Sequence, residues 1–552
     1  MSFRPITASL VALCLSVPAL ALPLAAAAKP PVISAERLSA DVKALADDRF
    51  EGRGINTPAE AMVIDYVSKG FAEAGFAPGG PDGKWTQAVQ LRQFKVQDAS
   101  VSLSAAGKTT TLTPGTDVVV STRGALGDVS LKDVPLVFAG YGVSAPERGW
   151  DDFKGVDVKG KIIVVLINDP DFYAPETATF GGKAMTYYGR WTYKYEEAAR
   201  RGAAGILIVH DTAAASYGWT TVKNSWSGPQ FDIVRADPSK TFTALEGWLS
   251  ADTAQKLFAD SGLDLDALKT AARSKDFKPV ALKATLSSAY HVTASEITTH
   301  NIVARLPGKT HPDETVVYGA HWDHIGIGAP DANGDAIFNG AVDNATGVAA
   351  LLELARAFGK GPKPDRSVVM VAFTAEESGL LGSEYYATNP VYPLETTVAG
   401  INIDAMNVSG PAKNIEVMGS GQSSLEDDLA LFVKAQNRVI SPDEKPEAGY
   451  FYRSDHFPLA KRGVPMLYSK GGKDLRTGGL EAGLAKDADY RARRYHQADD
   501  EWSPDLNFAG MAEDVTLYYR IGLKLANSRD WPQWRDTSEF KGVRDTSAAK
   551  RK

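Results

Sequence analysis

The chain of 552 residues carries one cysteine, Cys14, close to its start. Disulfide frameworks and thiolate zinc sites are thereby excluded, so any metal must be held by histidine and carboxylate. Basic charge is not in excess, with 60 Lys and Arg against 67 Asp and Glu and a net charge of −7. No overall positive field exists for a phosphate backbone to follow, and nucleic acid is not an expected partner. The apolar stretch Ile6 to Leu24 is broken by Pro18 and Pro23 and no stop-transfer charges follow, so no stable membrane anchor is expected. A Gly-x-Ser-x-Gly nucleophile elbow is also missing, which removes the usual serine hydrolase.

What is present points to an exported, compact protein. Arg4, the apolar stretch and Ala25-Ala-Ala-Ala28 have the order of a secretory signal peptide over residues 1–28, implying a periplasmic or extracellular chain. Leu13 before Cys14 argues against lipidation. At roughly 150 residues per domain the length allows two to four domains. Helical spacing covers Ser34 to Leu45 and Pro58 to Gly75, separated by the charged turn Asp47 to Gly54. Short alternating runs from Gln87 to Val120 predict strands, as do Val134–Gly142, Lys161–Ile167 and Gly205–Val209, with helices at Tyr193–Arg201 and Asp264–Arg273. After His291 strands and helices alternate: strands at Thr315–His321, Ser367–Phe373, Gly400–Asp404 and Val464–Tyr468, helices at Asn344–Phe358 and Gly379–Ala387. That order implies an α/β fold with a mostly parallel sheet covered on both faces, whose ligands sit at the carboxyl ends of the strands.

The chemically capable residues fall at those ends. His321 closes a strand in Gly319-Ala-His-Trp-Asp-His324, where Asp323 is of the type that orients a ligand histidine. Asp343 opens a helix, placed either to cap it or to bridge two cations. Glu376 and Glu377 are adjacent acids at a strand end, so one can bind metal while the other stays free as a base. Asp404 and His496 complete the set. Two histidines and three carboxylates with a spare glutamate describe a two-cation site, and the imidazoles shift the choice from magnesium or calcium to zinc, with cobalt or manganese as substitutes.

These segments resemble the co-catalytic zinc peptidases, a family that includes bacterial leucyl aminopeptidases and glutamate carboxypeptidases. The likeness rests on Gly319-Ala-His-Trp-Asp-His-Ile-Gly326, Ala341-Val-Asp-Asn-Ala-Thr-Gly347, Phe373-Thr-Ala-Glu-Glu-Ser-Gly-Leu-Leu-Gly-Ser383, Asn402-Ile-Asp404, Arg453-Ser-Asp-His456 and Tyr495-His496. The resemblance implies that Asp343 bridges two Zn2+ per chain, that His321 and Asp404 complete one site and Glu377 and His496 the other, and that Glu376 is the general base. It implies a cis peptide after Asp343. The loop Glu51-Gly-Arg-Gly54 and the tail Trp531-Pro-Gln-Trp534 look like the secreted bacterial branch. A protease-associated domain is suggested by Phe138-Ala-Gly-Tyr-Gly142, Asp151 to Lys161 and Ala198 to Ile208. The expected organisation is then an N-terminal part of the zinc-peptidase domain at 29–117, an inserted β-rich domain at 118–290, and the main peptidase domain at 291–552.

The chemistry expected of these parts is peptide hydrolysis. A water shared by two zinc ions gives hydroxide near neutral pH, with Glu376 taking its proton and passing it to the leaving amine. Tyr450 or Tyr452 is a candidate donor to the oxyanion, and Arg453 resembles a position used by secreted aminopeptidases. His324 and His456 read as supporting or structural residues. No basic cluster stands out beside the ligands, and charge complementarity therefore favours an aminopeptidase over a carboxypeptidase or dipeptidase acting on a terminal carboxylate. A noncatalytic binding protein on the same fold is a further alternative, disfavoured because all six positions hold suitable residues.

Overall fold

In the central strands, successive apolar residues go to opposite faces and both faces are covered, which explains why these strands have no polar alternation. In Arg366–Phe373, Val368, Met370 and Ala372 join one core cluster while Val369, Val371 and Phe373 join another. A computed structural model describes Met1 and residues 31–227, 230–328 and 330–551. The expected signal peptide, Met1 aside, lies outside the described residues. No helix among the described residues is long and apolar enough to cross a membrane.

The site rests on a stack of parallel strands. His311–His321 pairs in parallel with Arg366–Phe373 on one side and with Thr397–Asn402 on the other, and the latter pairs in parallel with Met466–Gly471. The helices Ala35–Leu45, Pro58–Glu73, Thr346–Lys360 and Ala509–Asn527 bury their apolar sides on one face. The opposite face is covered by Leu381–Thr388 and His456–Lys461 with an aromatic group around Phe451, Phe457 and Trp534. The expected mixed, mostly parallel sheet flanked by helices is what is found.

A second parallel stack, Ile162–Leu166, Gly205–Val209 and Leu245–Leu249, has its own cores. Two long strands join the halves: Thr86–Ala105 pairs antiparallel with Val280–Leu306, which also pairs with Gly127–Phe138 and with Arg366–Phe373. The alternating runs expected between Gln87 and Val120 are thus mainly one twenty-residue strand. Likewise, Val280–Leu306 continues unbroken past Ala289 and His291, where the sequence changes texture. Its middle alternates buried and exposed residues as it crosses between the halves, so composition shifts while the backbone does not.

Candidate metal centre

Register brings the ligands together. His321 pairs with Phe373 and Gly319 with Asn402, so His321, Glu376 with Glu377, and Asp404 all leave the same carboxyl edge of the sheet. The turns aim them through left-handed backbone: Ala375 has φ 53°, Ala405 φ 45° and His496 itself φ 57°. Such conformations cost about 1–3 kcal/mol each in non-glycine residues and gather at functional sites.

Asp343 sits between the two histidines. Its Oδ1 lies 3.2 Å from His321 Nε2 and its Oδ2 lies 3.3 Å from His496 Nε2. His321 Nε2 is also 3.4 Å from Asp404 Oδ1, and His496 Nε2 is 3.2 Å from Glu377 Oε2. His321, Asp343 and Glu377 offer donor atoms within 4.8 Å of one another, as do His321, Glu376 and Asp404. The first segment of the expected helix at Asn344–Phe358 is a separate turn; the helix runs Thr346–Lys360, and Asn344 Oδ1, not Asp343, accepts the Gly347 N–H at 2.8 Å. A cis peptide joins Asp343 to Asn344, as the resemblance implied.

The electrostatics are those of acids in want of cations. Burial alone would raise Asp343, but hydrogen bonds from His321 and His496 hold it well below the usual carboxylate range. Burial opposes charge on His496, yet Asp343 and Glu377 raise it to about 10. Burial, with Glu377, Asp404 and Asp455, raises Glu376 well above the ordinary range while His321 opposes it. Three-atom clusters of imidazole nitrogen and carboxylate oxygen suit zinc chemically.

The tautomer of His321 is fixed by a neighbour, though not in the way its sequence context implied. Its Nδ1 meets the backbone carbonyl of Asp323 at 3.0 Å, leaving Nε2 toward the site. The Asp323 carboxylate is 3.9 Å from that ring and instead accepts the Glu376 and Glu377 N–H groups at 3.1 and 3.4 Å. Asp323 therefore orients the two acids. His324 supports Glu377, with Nδ1 2.6 Å from Oε1. His456 is fully buried between the rings of Phe451 and Tyr468, and burial lowers it to about 3, so it is a neutral core residue.

Tyr452 is not at the centre. Its hydroxyl donates to Glu539 Oε1 at 2.8 Å inside the aromatic group of Phe451 and Phe457. A tyrosine that does lie beside the ligands is Tyr495, whose ring stacks on His496 at 4.0 Å and which is 39% exposed. Burial, Asp343 and Glu377 raise its phenol, keeping it a donor. Tyr450 lies at the rim, where its hydroxyl accepts from Arg491 at 2.9 Å and its ring lies 5.3 Å from the Arg453 guanidinium. Arg453 faces Arg190, which burial and this repulsion lower to about 10. Arg453 also acts through space on Tyr495, and because Arg190, Arg453 and Arg491 are far apart in the chain no single segment signals this basic group.

Three supporting residues were missed. Asp500 accepts the Val342 and Asp343 N–H groups at about 3 Å, tying the bridging turn to the His496 loop. Ser454 donates to Asp404 Oδ2 at 2.6 Å, and Asn344 Nδ2 donates to the Ile403 carbonyl at 3.0 Å. Asp500, four residues after His496, was the one with a local signal. The others depend on pairings across the fold.

Residues 301–519, which hold every one of these ligands, match the family described as Peptidase family M28. The match spans less than half of the chain, and over that span the chain is similar to this family. The M28 region is 42% identical over 108 residues to a probable zinc metalloprotease of Pyrenophora tritici-repentis, covering 20% of this chain and 24% of that protein. Leupeptin-inactivating enzyme 1 of Streptomyces exfoliatus is 30% identical over 179 residues, 32% of this chain and 36% of that one. The chain spans about a quarter of the length of the first curated relatives it matches. Among solved structures, an aminopeptidase from Aneurinibacillus sp. strain AM-1 aligns with 17% identity over 90% of this chain and 95% of that one, at a TM-score of 0.48.

Proposed function

We propose that the chain is a zinc-dependent exopeptidase that releases amino-terminal residues from peptides, with two zinc ions per chain. The observation that carries this reading is Asp343, with one oxygen toward each of two histidines that each meet a further acid. His321, Asp404 and one Asp343 oxygen would hold one ion; His496, Glu377 and the other oxygen would hold the second. When bound, the ions would polarise the peptide carbonyl and acidify the attacking water. Glu376, left free by this assignment, accepts the proton from that water and delivers it to the departing amine. Tyr495 donates its O–H to the developing oxyanion. The site opens to solvent on this side, where the His496 side chain is 37% exposed.

A second reading has its own observation. Arg453 and Arg491 lie against the Tyr450 ring, Arg190 is close enough to Arg453 to be repelled by it, and among the described residues neither Arg190 nor Arg453 has a carboxylate partner. Such a rim suits a substrate carboxylate, as in a carboxypeptidase or dipeptidase. Hydrolysis of amino-acid anilides against amino-blocked peptides with a free carboxyl terminus decides between them. Anilide cleavage abolished by chelation and restored by zinc supports the first reading. Cleavage of blocked peptides alone replaces it with the second.

A further inference from the structure

The loop Glu51-Gly-Arg-Gly54 has no part in the chemistry above, yet it is packed behind the ligands. Gly52 has φ +65°, and a Cβ there would lie 2.5 Å from the Gly326 carbonyl oxygen and 2.6 Å from that of Phe338, so only glycine fits. This close approach delivers Arg53 to a position with no exposed surface. All five of its hydrogen bonds go to backbone carbonyls. Nε donates to Trp322 at 2.8 Å, Nη1 to Leu45 at 2.9 Å and Asn339 at 2.5 Å, and Nη2 to Gly340 at 2.8 Å and Asp343 at 3.5 Å. The Arg53 carbonyl in turn accepts the His324 N–H at 3.2 Å.

Four of those carbonyls belong to the two segments that carry His321 and Asp343, and the fifth, that of Leu45, ends the helix Ala35–Leu45. Among the described residues no carboxylate pairs directly with Arg53, although Asp500, Asp343, Asp323 and Glu377 act on it through space. A buried cation without an acidic partner is costly, and five aligned acceptors are what make it tolerable here. We propose that Arg53 is a positioning residue for the metal centre, whose planar fork sets the separation of His321 from the bridging Asp343 by clamping the backbone behind each.

The inference rests on the metal reading of the site, and its sign separates clamp from charge. A cation buried beside a dication site weakens metal binding by repulsion, so a purely electrostatic role makes its removal tighten binding. A clamp makes its removal loosen binding. The test is zinc titration of the metal-free full chain by calorimetry, with the visible spectrum of the cobalt-substituted protein, for wild type, Arg53→Lys and Arg53→Met. The expected result is a loss of about 10–100-fold in zinc affinity in both variants, with an altered cobalt spectrum, since lysine keeps the charge and lacks the fork. Wild-type affinity in Arg53→Lys overturns the clamp, whether Arg53→Met binds more tightly or does not fold. Lower thermal stability with unchanged zinc affinity in the variants reduces Arg53 to a structural residue. A wild type that takes up no zinc overturns the metal reading itself, and this role with it.

Discussion

Two regions of the molecule bury carboxylates, and they treat them oppositely. Behind the strand Ile162–Leu166, Asp152 accepts the Tyr141 and Val143 N–H groups at 3.1 and 3.0 Å and the Trp150 indole at 2.9 Å. Asp169 accepts the Thr186 N–H and hydroxyl, and Lys194 spends its ammonium on the carbonyls of Tyr141, Asn168 and Tyr188. Every one of these groups is paired within the region, so nothing further is called for. In the M28 region the buried Asp343 and the half-buried Glu376, Glu377 and Asp404 face one another and two histidines, and both oxygens of Asp455 lack a hydrogen-bond partner. Burial with perturbed titration is common to both regions, as Asp152 and Asp455 are each raised to about 7 mainly by desolvation. What distinguishes the M28 region is convergence of carboxylates on histidines, with no lysine or arginine among the described residues paired to Asp343, Glu376, Glu377 or Asp404.

The largest effect is expected of Glu376→Gln. Loss of a general base lowers kcat by about 10²–10⁴-fold. Zinc content should stay at the wild-type value, because the spare glutamate is not assigned as a ligand. Activity near wild type, or loss of zinc, would mean that the acids divide their roles differently. Next in size is metal removal. Zinc at a thousand times its Kd stabilises the state that binds it by about 4 kcal/mol. Calorimetric transitions should therefore separate on chelation, with the M28 region melting earlier and the region around Lys194 unmoved; a common shift of both would deny the contrast.

A somewhat smaller effect comes from the other region. Lys194→Met leaves three carbonyls and two nearby acids without their ammonium, a loss of about 3 kcal/mol on the scale of broken buried pairs. Limited proteolysis should then cut within residues 141–194 while zinc content is unchanged. Zinc loss on this substitution would show that the two regions are not energetically separate.

His321, Glu376, Glu377 and Asp404 end strands whose apolar runs are local signals, and register alone carries them to one edge. Asp343 was legible by type but not by conformation, since whether an Asp before a helix caps it depends on backbone outside the helix, and here Asn344 takes that task. The long strands escaped because their exposed middles read as separate short runs. The basic rim escaped for a different reason: Arg190, Arg453 and Arg491 come from three elements, and no window along the chain contains two of them within bonding reach. Arg53 lies in the Glu51-Gly-Arg-Gly54 motif, but a side chain whose partners are all backbone carbonyls leaves no pattern in residue types.

The smallest expected effect tests the placement of a tyrosine. Tyr452 was a reasonable oxyanion donor by proximity to Arg453-Ser-Asp-His456, yet its hydroxyl is committed to Glu539, which also accepts the Tyr187 N–H at 3.3 Å. Tyr187 comes from the region of Lys194 and packs on Phe457 with ring centres 5.2 Å apart, so Glu539 and Tyr452 form part of the joint between the two regions. Tyr452→Phe keeps the ring contacts and removes one hydrogen bond to a charged acceptor, worth about 1.5–3 kcal/mol. Stability of the joint should fall by that amount, read by denaturant unfolding of the zinc-loaded protein, while kcat stays within about twofold because no donor is lost from the site. A loss of kcat of a hundredfold, the scale of a missing oxyanion donor, would return Tyr452 to the centre and make Glu539 its escort there. The joint thus reports on stability alone, and the centre on turnover alone, only if the tyrosine of the centre is Tyr495.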